Sequence, residues 1–158
     1  MRHPDWLVAM STVIGVAGVA WPNAQPPIVV WNASRSVPIG LYYIIARPPL
    51  RDELAALRLP ASMRSLANER GYLPTEMVLI KPVAAISGDV ICRRGAIVTI
   101  NDNPIAHALT ADASGRPLPK WSGCFRADDQ RFFVLSDDPD SFDGRYFGLV
   151  NSDRKSVV

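Results

Sequence analysis

The chain has 158 residues, of which 48% are apolar and 20% charged, and its formal net charge is +2. This composition excludes a long disordered or collagen-like chain, and the low net charge without a basic run disfavours a nucleic-acid-binding protein. Fourteen prolines and ten glycines, spread along the chain, disfavour a helical bundle and favour a turn-rich fold with many strands.

The first element in chain order is an uncharged stretch between Asp5 and Arg35. A helix over residues 4–21 would be about 27 Å long, close to the roughly 30 Å of a bilayer's hydrocarbon core. Trp6 and Trp21 would then lie at the two membrane interfaces, where Trp is enriched.

We therefore predict a single-pass transmembrane anchor at residues 1–21 in an inner membrane. Arg2 precedes the apolar stretch, which predicts a cytoplasmic amino terminus and a periplasmic domain at residues 22–158. A cleaved signal peptide and a buried core helix are the alternatives.

Strands are predicted where apolar runs are bounded by glycine, proline or polar turns. They cover residues 28–31, 41–46, 77–83, 90–92, 96–100, 131–135 and 145–150. The run 41–46 is predicted to be buried, 54–59 is ambiguous between strand and helix, and 61–70 is predicted to be a short helix ended by Gly71. The sequence thus predicts a mainly β body with a short helical insertion.

Cysteine and histidine are too few for a metal centre. Cys92 and Cys124 are not a Cys-x-x-Cys pair, and only His3 and His107 could join them. We expect neither metal nor cofactor. Because both cysteines lie in the segment predicted to be exported, they are a candidate disulfide, the alternative being two unrelated buried thiols.

Lys81 is the most unusual ionisable residue in the sequence. The other two lysines, Lys120 and Lys155, lie in polar segments, whereas Lys81 lies in an apolar strand. Burial there would favour the neutral amine, the form that can remove a proton from a serine. A lysine on the solvent face of an edge strand is the ordinary alternative. A histidine-based triad is disfavoured because no Gly-x-Ser-x-Gly motif occurs.

Three segments together carry a family resemblance. They are Ser36-Val-Pro-Ile-Gly-Leu-Tyr42, Lys81-Pro-Val-Ala-Ala-Ile-Ser-Gly-Asp89 and Asp140-Ser-Phe-Asp-Gly-Arg-Tyr-Phe-Gly148. In this order they resemble the type I signal peptidases, and more closely the TraF-like peptidases of conjugative plasmid transfer. The resemblance extends from the apolar stretch to about Val150 and implies a signal-peptidase-like β fold.

The resemblance also implies roles for single residues. Ser36 matches the family's nucleophile and Lys81 its general base. Ser34 matches a hydroxyl that joins the Ser36 N–H in the oxyanion hole, and Ser141 matches the serine that orients the lysine. Asp143 and Arg145 match the acidic and basic residues that together support the family's active site.

The sequence departs from the general signal peptidases at three places, one of which is a loop before Ser141 that is one residue shorter. Val37 follows the nucleophile where methionine is common, as in the TraF-like branch. The tail from Asn151 to Val158 is short, so we expect the family's last strand to be missing.

The expected function is that of a membrane-anchored serine endopeptidase. Its substrate would be an exported, membrane-embedded precursor, and the resemblance favours a conjugative pilin, matured by hydrolysis or by cyclisation through an acyl-enzyme. The alternatives are a general type I signal peptidase and a non-catalytic component of a conjugative secretion channel. A self-cleaving repressor is disfavoured by the apolar amino terminus.

Overall fold

The structure is a computed structural model that describes residues 28–34, 36–75, 77–151 and 156–157. The predicted anchor at residues 1–21 lies outside these described residues. Neither helix within the described ranges has the length and apolar character needed to cross a membrane.

Eleven strands and two helices make up the described part of the chain. The strands are β1 (Ile28–Asn32), β2 (Gly40–Ile45), β3 (Leu54–Leu57), β4 (Leu79–Ala85), β5 (Val90–Arg94), β6 (Ile97–Ile100), β7 (Asn103–His107), β8 (Gly123–Arg126), β9 (Arg131–Val134), β10 (Val150–Asn151) and β11 (Ser156–Val157). The helices are α1 (Ala61–Glu69) and α2 (Gly144–Phe147). The predicted mainly β body with a short helical insertion is confirmed, and the ambiguous segment 54–59 forms a strand.

The strands form two antiparallel sheets. The larger has the order β1-β2-β11-β3-β4-β9-β10, and the smaller has the order β7-β6-β5-β8. The core of the larger sheet is an apolar cluster of Ala55, Leu57, Val83, Phe132, Val134 and Val150. A second cluster, which includes Ile91, Val98 and Phe133, joins the two sheets. Strand β4 lies in the interior of the larger sheet, between β3 and β9, and its residue Val83 belongs to the core. Lys81 is on the same strand.

The smaller sheet contains the disulfide. Cys92 on β5 lies directly opposite Cys124 on β8, and the two sulfurs are bonded. The bridge links the sheet's third strand to its edge strand.

The β1–β2 hairpin is apolar on both faces. Val30, Tyr42 and Ile44 pack on an inner cluster around Val37 and Ile80. The other face exposes a row of apolar side chains: Val29, Trp31, Leu41, Tyr43 and Ile45. The expectation of a buried strand at 41–46 was therefore correct for one face only, because side chains alternate between the faces of a strand.

The predicted strand at residues 145–150 is wrong over most of its length. The Asp143 side chain accepts the Arg145 N–H and caps the short helix α2, so that only Val150 and Asn151 are extended. An N-cap carboxylate satisfies an N–H group that would otherwise lack a partner, and this interaction overrides the β preference of the aromatic run.

The expected loss of the last strand is also wrong. Ser156 and Val157 form β11, which pairs with both β2 and β3. Backbone pairing of two residues needs no apolar pattern, so the sequence contained little signal for it.

Gly144 provides a test of the packing between α2 and β9. A Cβ atom at this position would lie 2.5 Å from Phe133 Cε2 and 2.5 Å from the Val134 carbonyl oxygen. We expect Gly144→Ala to lower the free energy of unfolding by about 1–3 kcal/mol, measured by chemical denaturation, because neither neighbour can move freely.

Gly40→Ala is the matched control, because nothing lies within 4 Å of a Cβ at Gly40. Equal free energies of unfolding for the two variants would contradict the close approach of α2 to β9.

Candidate active site

The sequence-predicted site residues gather at one cleft. Its volume is about 630 Å³, and its walls come from the β1–β2 turn, the start of β4 and the segment 138–146. Ser34, Ser36, Lys81 and Ser141 all line it. Three segments that are distant in sequence are thus brought together.

Lys81 is held at the cleft by the sheet. It is the third residue of β4 and pairs with Ala55 of β3, so its backbone is fixed in the sheet's interior. The residue is only 3% exposed. This burial excludes the alternative of a lysine on a solvent-facing edge.

The pKa of Lys81 reflects opposing influences. Burial, the largest, lowers the pKa from 10.5 to about 8, because the ammonium loses its hydration. The carboxylates of Asp143 and Asp138 oppose this lowering, and the Arg145 guanidinium adds to it. A large fraction of the amine is therefore neutral in mildly alkaline solution.

Ser141 fixes the direction of the amine. Lys81 Nζ and Ser141 Oγ are 2.6 Å apart, and both side chains are buried. A buried hydrogen bond of this kind restricts the rotamers of a long side chain, so the amine keeps one position at the cleft.

Ser36 lies in the turn between β1 and β2, and its hydroxyl oxygen is 3.1 Å from that of Ser34. Among the contacts of the described residues, Lys81 and Ser36 share the cleft but not a direct hydrogen bond. Hydrogen bonds between catalytic groups are often long or absent without substrate and form when the substrate is bound.

Asp143 and Arg145 hold the segment behind the cleft. Arg145 Nη2 lies 2.8 Å from Asp143 Oδ2, and the Asp143 side chain is completely buried. The same guanidinium donates to the carbonyls of Ser136 (2.6 Å), Asp138 (2.7 Å) and Pro139 (3.2 Å). The pair therefore fixes the backbone that leads into Ser141.

Two buried polar residues at the site were missed by the sequence reasoning. Asn32, at the end of β1, is hydrogen-bonded to the turn that carries Ser36. Ser136 Oγ donates to the Ser36 carbonyl at 3.1 Å, across 100 residues of sequence. Asn32 could have been found from the sequence, because it is a polar residue close to the candidate nucleophile. Ser136 could not, because its role depends on a long-range contact that no local pattern encodes.

The described residues contain no group of three or more His, Cys, Asp and Glu side chains placed to hold a metal ion. The cleft is lined by serine hydroxyls, the buried amine of Lys81 and the carboxylates of Asp112, Asp138 and Asp140.

The family model described as "Signal peptidase, peptidase S26" matches residues 4–157. The chain belongs to the signal peptidase family S26. Two proteins of Escherichia coli named plasmid transfer protein TraF are 34% and 31% identical to it. Those alignments cover 76% and 80% of this chain, and 74% and 78% of the relatives. The resemblance to TraF-like members of the family is confirmed.

A signal peptidase I from Enterococcus faecalis is among the similar solved structures. It has a TM-score of 0.41 and 18% sequence identity, over 72% of this chain and 99% of that chain.

Arg145→Ala tests the support behind this S26 site. The substitution leaves the Asp143 carboxylate buried without its charged partner, so we expect the free energy of unfolding to fall by about 3–5 kcal/mol in chemical denaturation. The control is Arg131→Ala, which breaks a half-exposed pair with Asp128 and should lower the free energy of unfolding far less. Similar small losses for both variants would contradict the supporting role of the Asp143–Arg145 pair.

Lys81→Met tests the buried amine through stability. The pKa of Lys81 is lowered on folding, so the unfolded chain binds the proton more tightly and the ammonium destabilises the fold by up to about 3 kcal/mol below pH 8. This destabilisation disappears as the pH rises from about 8 to above 10.5. We expect Lys81→Met to melt above wild type at pH 7 and to lose that advantage by pH 10.5.

Lys120→Met is the matched control, because it removes a lysine at an exposed position and should not melt above wild type at pH 7. A Lys81→Met variant that melts below wild type at pH 7 would mean that burial does not destabilise the ammonium.

Proposed function

We propose that the chain is a serine endopeptidase in which Ser36 is the nucleophile and Lys81 the general base. The observation that carries this proposal is the buried amine of Lys81, with a pKa lowered to about 8, in the same cleft as the Ser36 hydroxyl. A base works best when its pKa lies near the working pH, and a lysine reaches that range only through burial or a cationic neighbour.

The proposed reaction begins when neutral Lys81 takes the Ser36 proton. The Ser36 oxygen attacks the scissile carbonyl, and the carbonyl oxygen becomes an oxyanion held by the Ser36 N–H and the Ser34 hydroxyl. The protonated Lys81 then gives its proton to the leaving amine of the substrate. The hydrogen bond with Ser141 keeps Lys81 Nζ directed into the cleft during this step. An acyl-enzyme remains on Ser36.

The acyl-enzyme can be resolved in two ways. Water, deprotonated by Lys81, would release a linear product. The substrate's own amino group would release a cyclic peptide. Product mass distinguishes the two outcomes, because hydrolysis adds the mass of one water and cyclisation does not.

The proposed substrate is an exported, membrane-embedded precursor, and we favour a conjugative pilin. The family description names signal peptidases, and the two Escherichia coli relatives are named plasmid transfer proteins. The substrate would bind as an extended strand, with small side chains entering pockets beside the scissile bond. A general signal peptidase is the second candidate, and processing of unrelated preproteins would favour it.

We propose that residues 1–21 anchor the chain in the inner membrane, with the peptidase domain in the periplasm. Only residues 22–27 would connect this anchor to β1, whose hairpin with β2 exposes Trp31, Tyr43 and neighbouring aliphatic side chains on one face. Such residues are favoured at a membrane interface, which supports a cleft held close to the lipid surface. Confinement of enzyme and precursor to one membrane would raise their effective concentration.

Substitution of either proposed catalytic residue tests the function. We expect Ser36→Ala and Lys81→Met each to abolish cleavage of a full-length pilin precursor by the detergent-solubilised chain, followed by product mass. The double variant should be no slower than either single variant, because the two groups act in one unit.

Ser65→Ala, at an exposed position on α1, is the control and should cleave at the wild-type rate. Near-wild-type cleavage by Lys81→Met would refute the proposed base. Conjugation that survives Ser36→Ala would favour the non-catalytic channel component.

The pH dependence of kcat/KM reports the ionisation of Lys81 in the free enzyme. Because only the neutral amine acts as base, kcat/KM should rise through a single ionisation with a midpoint near pH 8. It should stay high into alkaline solution. A rate profile that is flat from pH 6 to 10 would contradict this assignment.

A further inference from the structure

Asn32 occupies an unusual position for a buried amide. It is the last residue of β1, it is 7% exposed, and it lies four residues before Ser36 in the turn that carries the proposed nucleophile. A buried polar side chain is retained at little loss of stability only where its hydrogen bonds are made.

The Asn32 amide directs its donors and its acceptor to the same turn. Nδ2 donates to the carbonyls of Ser34 (2.9 Å), Val37 (3.1 Å) and Pro38 (3.0 Å). Oδ1 accepts the Ser34 N–H (3.2 Å) and the Ser34 hydroxyl (2.9 Å). If the Asn32 amide were rotated by 180°, Oδ1 would face three carbonyl oxygens and could not hydrogen-bond to them. The surroundings therefore determine which amide atom is the nitrogen and which is the oxygen.

These contacts hold the turn by its carbonyl groups. Asn32 holds those of Ser34, Val37 and Pro38, and Ser136 Oγ holds that of Ser36. Because a peptide unit is planar, fixing a carbonyl also fixes the N–H of the following residue. Held carbonyls, those of Ser34 and Ser36, therefore lie on both sides of the Ser36 N–H in the sequence.

The same amide sets the resting direction of the Ser34 hydroxyl. A hydroxyl has one proton, and that of Ser34 is donated to Asn32 Oδ1. In the 3.1 Å contact between the two hydroxyls, Ser36 is therefore the donor and Ser34 the acceptor. When the Ser34 hydroxyl rotates to donate to an oxyanion, Asn32 Oδ1 still accepts the hydrogen bond from the Ser34 N–H.

We propose that Asn32 is a positioning residue that preorganises the oxyanion-binding turn: it fixes the carbonyls around Ser36 and holds the Ser34 hydroxyl beside the nucleophile. It acts through Ser34 and the turn, without contact to the substrate. This inference rests on the proposed peptidase function.

The first test is kinetic, on the pilin precursor that wild type cleaves. Asn32→Ala should lower kcat by at least ~10-fold with little change in KM, because an oxyanion hole stabilises the transition state and not the bound substrate. The midpoint of the pH profile should stay near 8, because the surroundings of Lys81 are unchanged. The double variant Asn32→Ala/Ser34→Ala should be no slower than Asn32→Ala alone.

Tyr42→Phe is the matched control. The Tyr42 hydroxyl donates to the Pro38 carbonyl, one of the carbonyls that Asn32 also holds, and its removal leaves Ser34 untouched. It should cleave at close to the wild-type rate. If Asn32→Ala fails to fold, Asn32→Ser removes the hydrogen bonds that Nδ2 donates without placing a carboxylate against three carbonyls, and it should also lower kcat.

The second test needs no turnover. The probe is a peptide aldehyde that carries the precursor's residues before the scissile bond. Ser36 Oγ would attack its carbonyl carbon, and the Ser36 proton would pass to Lys81. The resulting oxyanion needs the preorganised turn, whereas the corresponding peptide alcohol does not. By calorimetry, Asn32→Ala should weaken aldehyde binding at least ~10-fold and leave alcohol binding unchanged.

The outcomes separate this inference from the proposed function. If Ser36→Ala abolishes cleavage but Asn32→Ala matches Tyr42→Phe, or raises KM alone, Asn32 has no positioning role. Multiplicative losses in the double variant would also overturn it. If wild type neither cleaves the precursor nor prefers the aldehyde to the alcohol, the peptidase function itself is wrong, and this inference with it.

Discussion

The balance of charge around the Lys81 amine is the constraint on which the rest of the site depends. Burial favours the neutral amine, but a completely buried carboxylate, Asp143, lies close enough to favour the ammonium. Arg145 neutralises that carboxylate at 2.8 Å and adds its own repulsion to the lysine. The pKa near 8 is the net result of these effects: burial lowers it, the carboxylates raise it, and Arg145 limits that rise.

The fold supplies rigid positions for each of these groups. Lys81 is fixed by pairing in the interior of the larger sheet, and Ser141 by a segment whose carbonyls are bound by Arg145. The turn with Ser36 connects the edge strand β1 to β2 and lies beyond the last backbone pair of the hairpin, Asn32 with Gly40. Side chains hold it instead, namely those of Asn32 and Ser136. The site thus combines a base on a strand with a nucleophile on a turn that depends on buried polar contacts.

Much of this arrangement could be predicted from the sequence. The apolar run around Lys81 indicated its burial, and the residue is indeed buried. The order of three motifs predicted that Ser36, Lys81 and Ser141 share a site. The strand prediction failed at residues 145–150 because the local Asp143 cap starts the short helix α2 there. Strand β11 was missed because it depends on pairing with two distant strands.

The central claim is that Lys81 carries a buried amine with a lowered pKa, and a titration of this amine tests it most directly. NMR of protein with 13C-labelled lysine side chains would follow each Cε from pH 6 to 11, and the resonance absent from Lys81→Met would assign Lys81. The account predicts a midpoint near pH 8 for Lys81, well below the ordinary lysine value of about 10.4. A Lys81 midpoint at that ordinary value would contradict it.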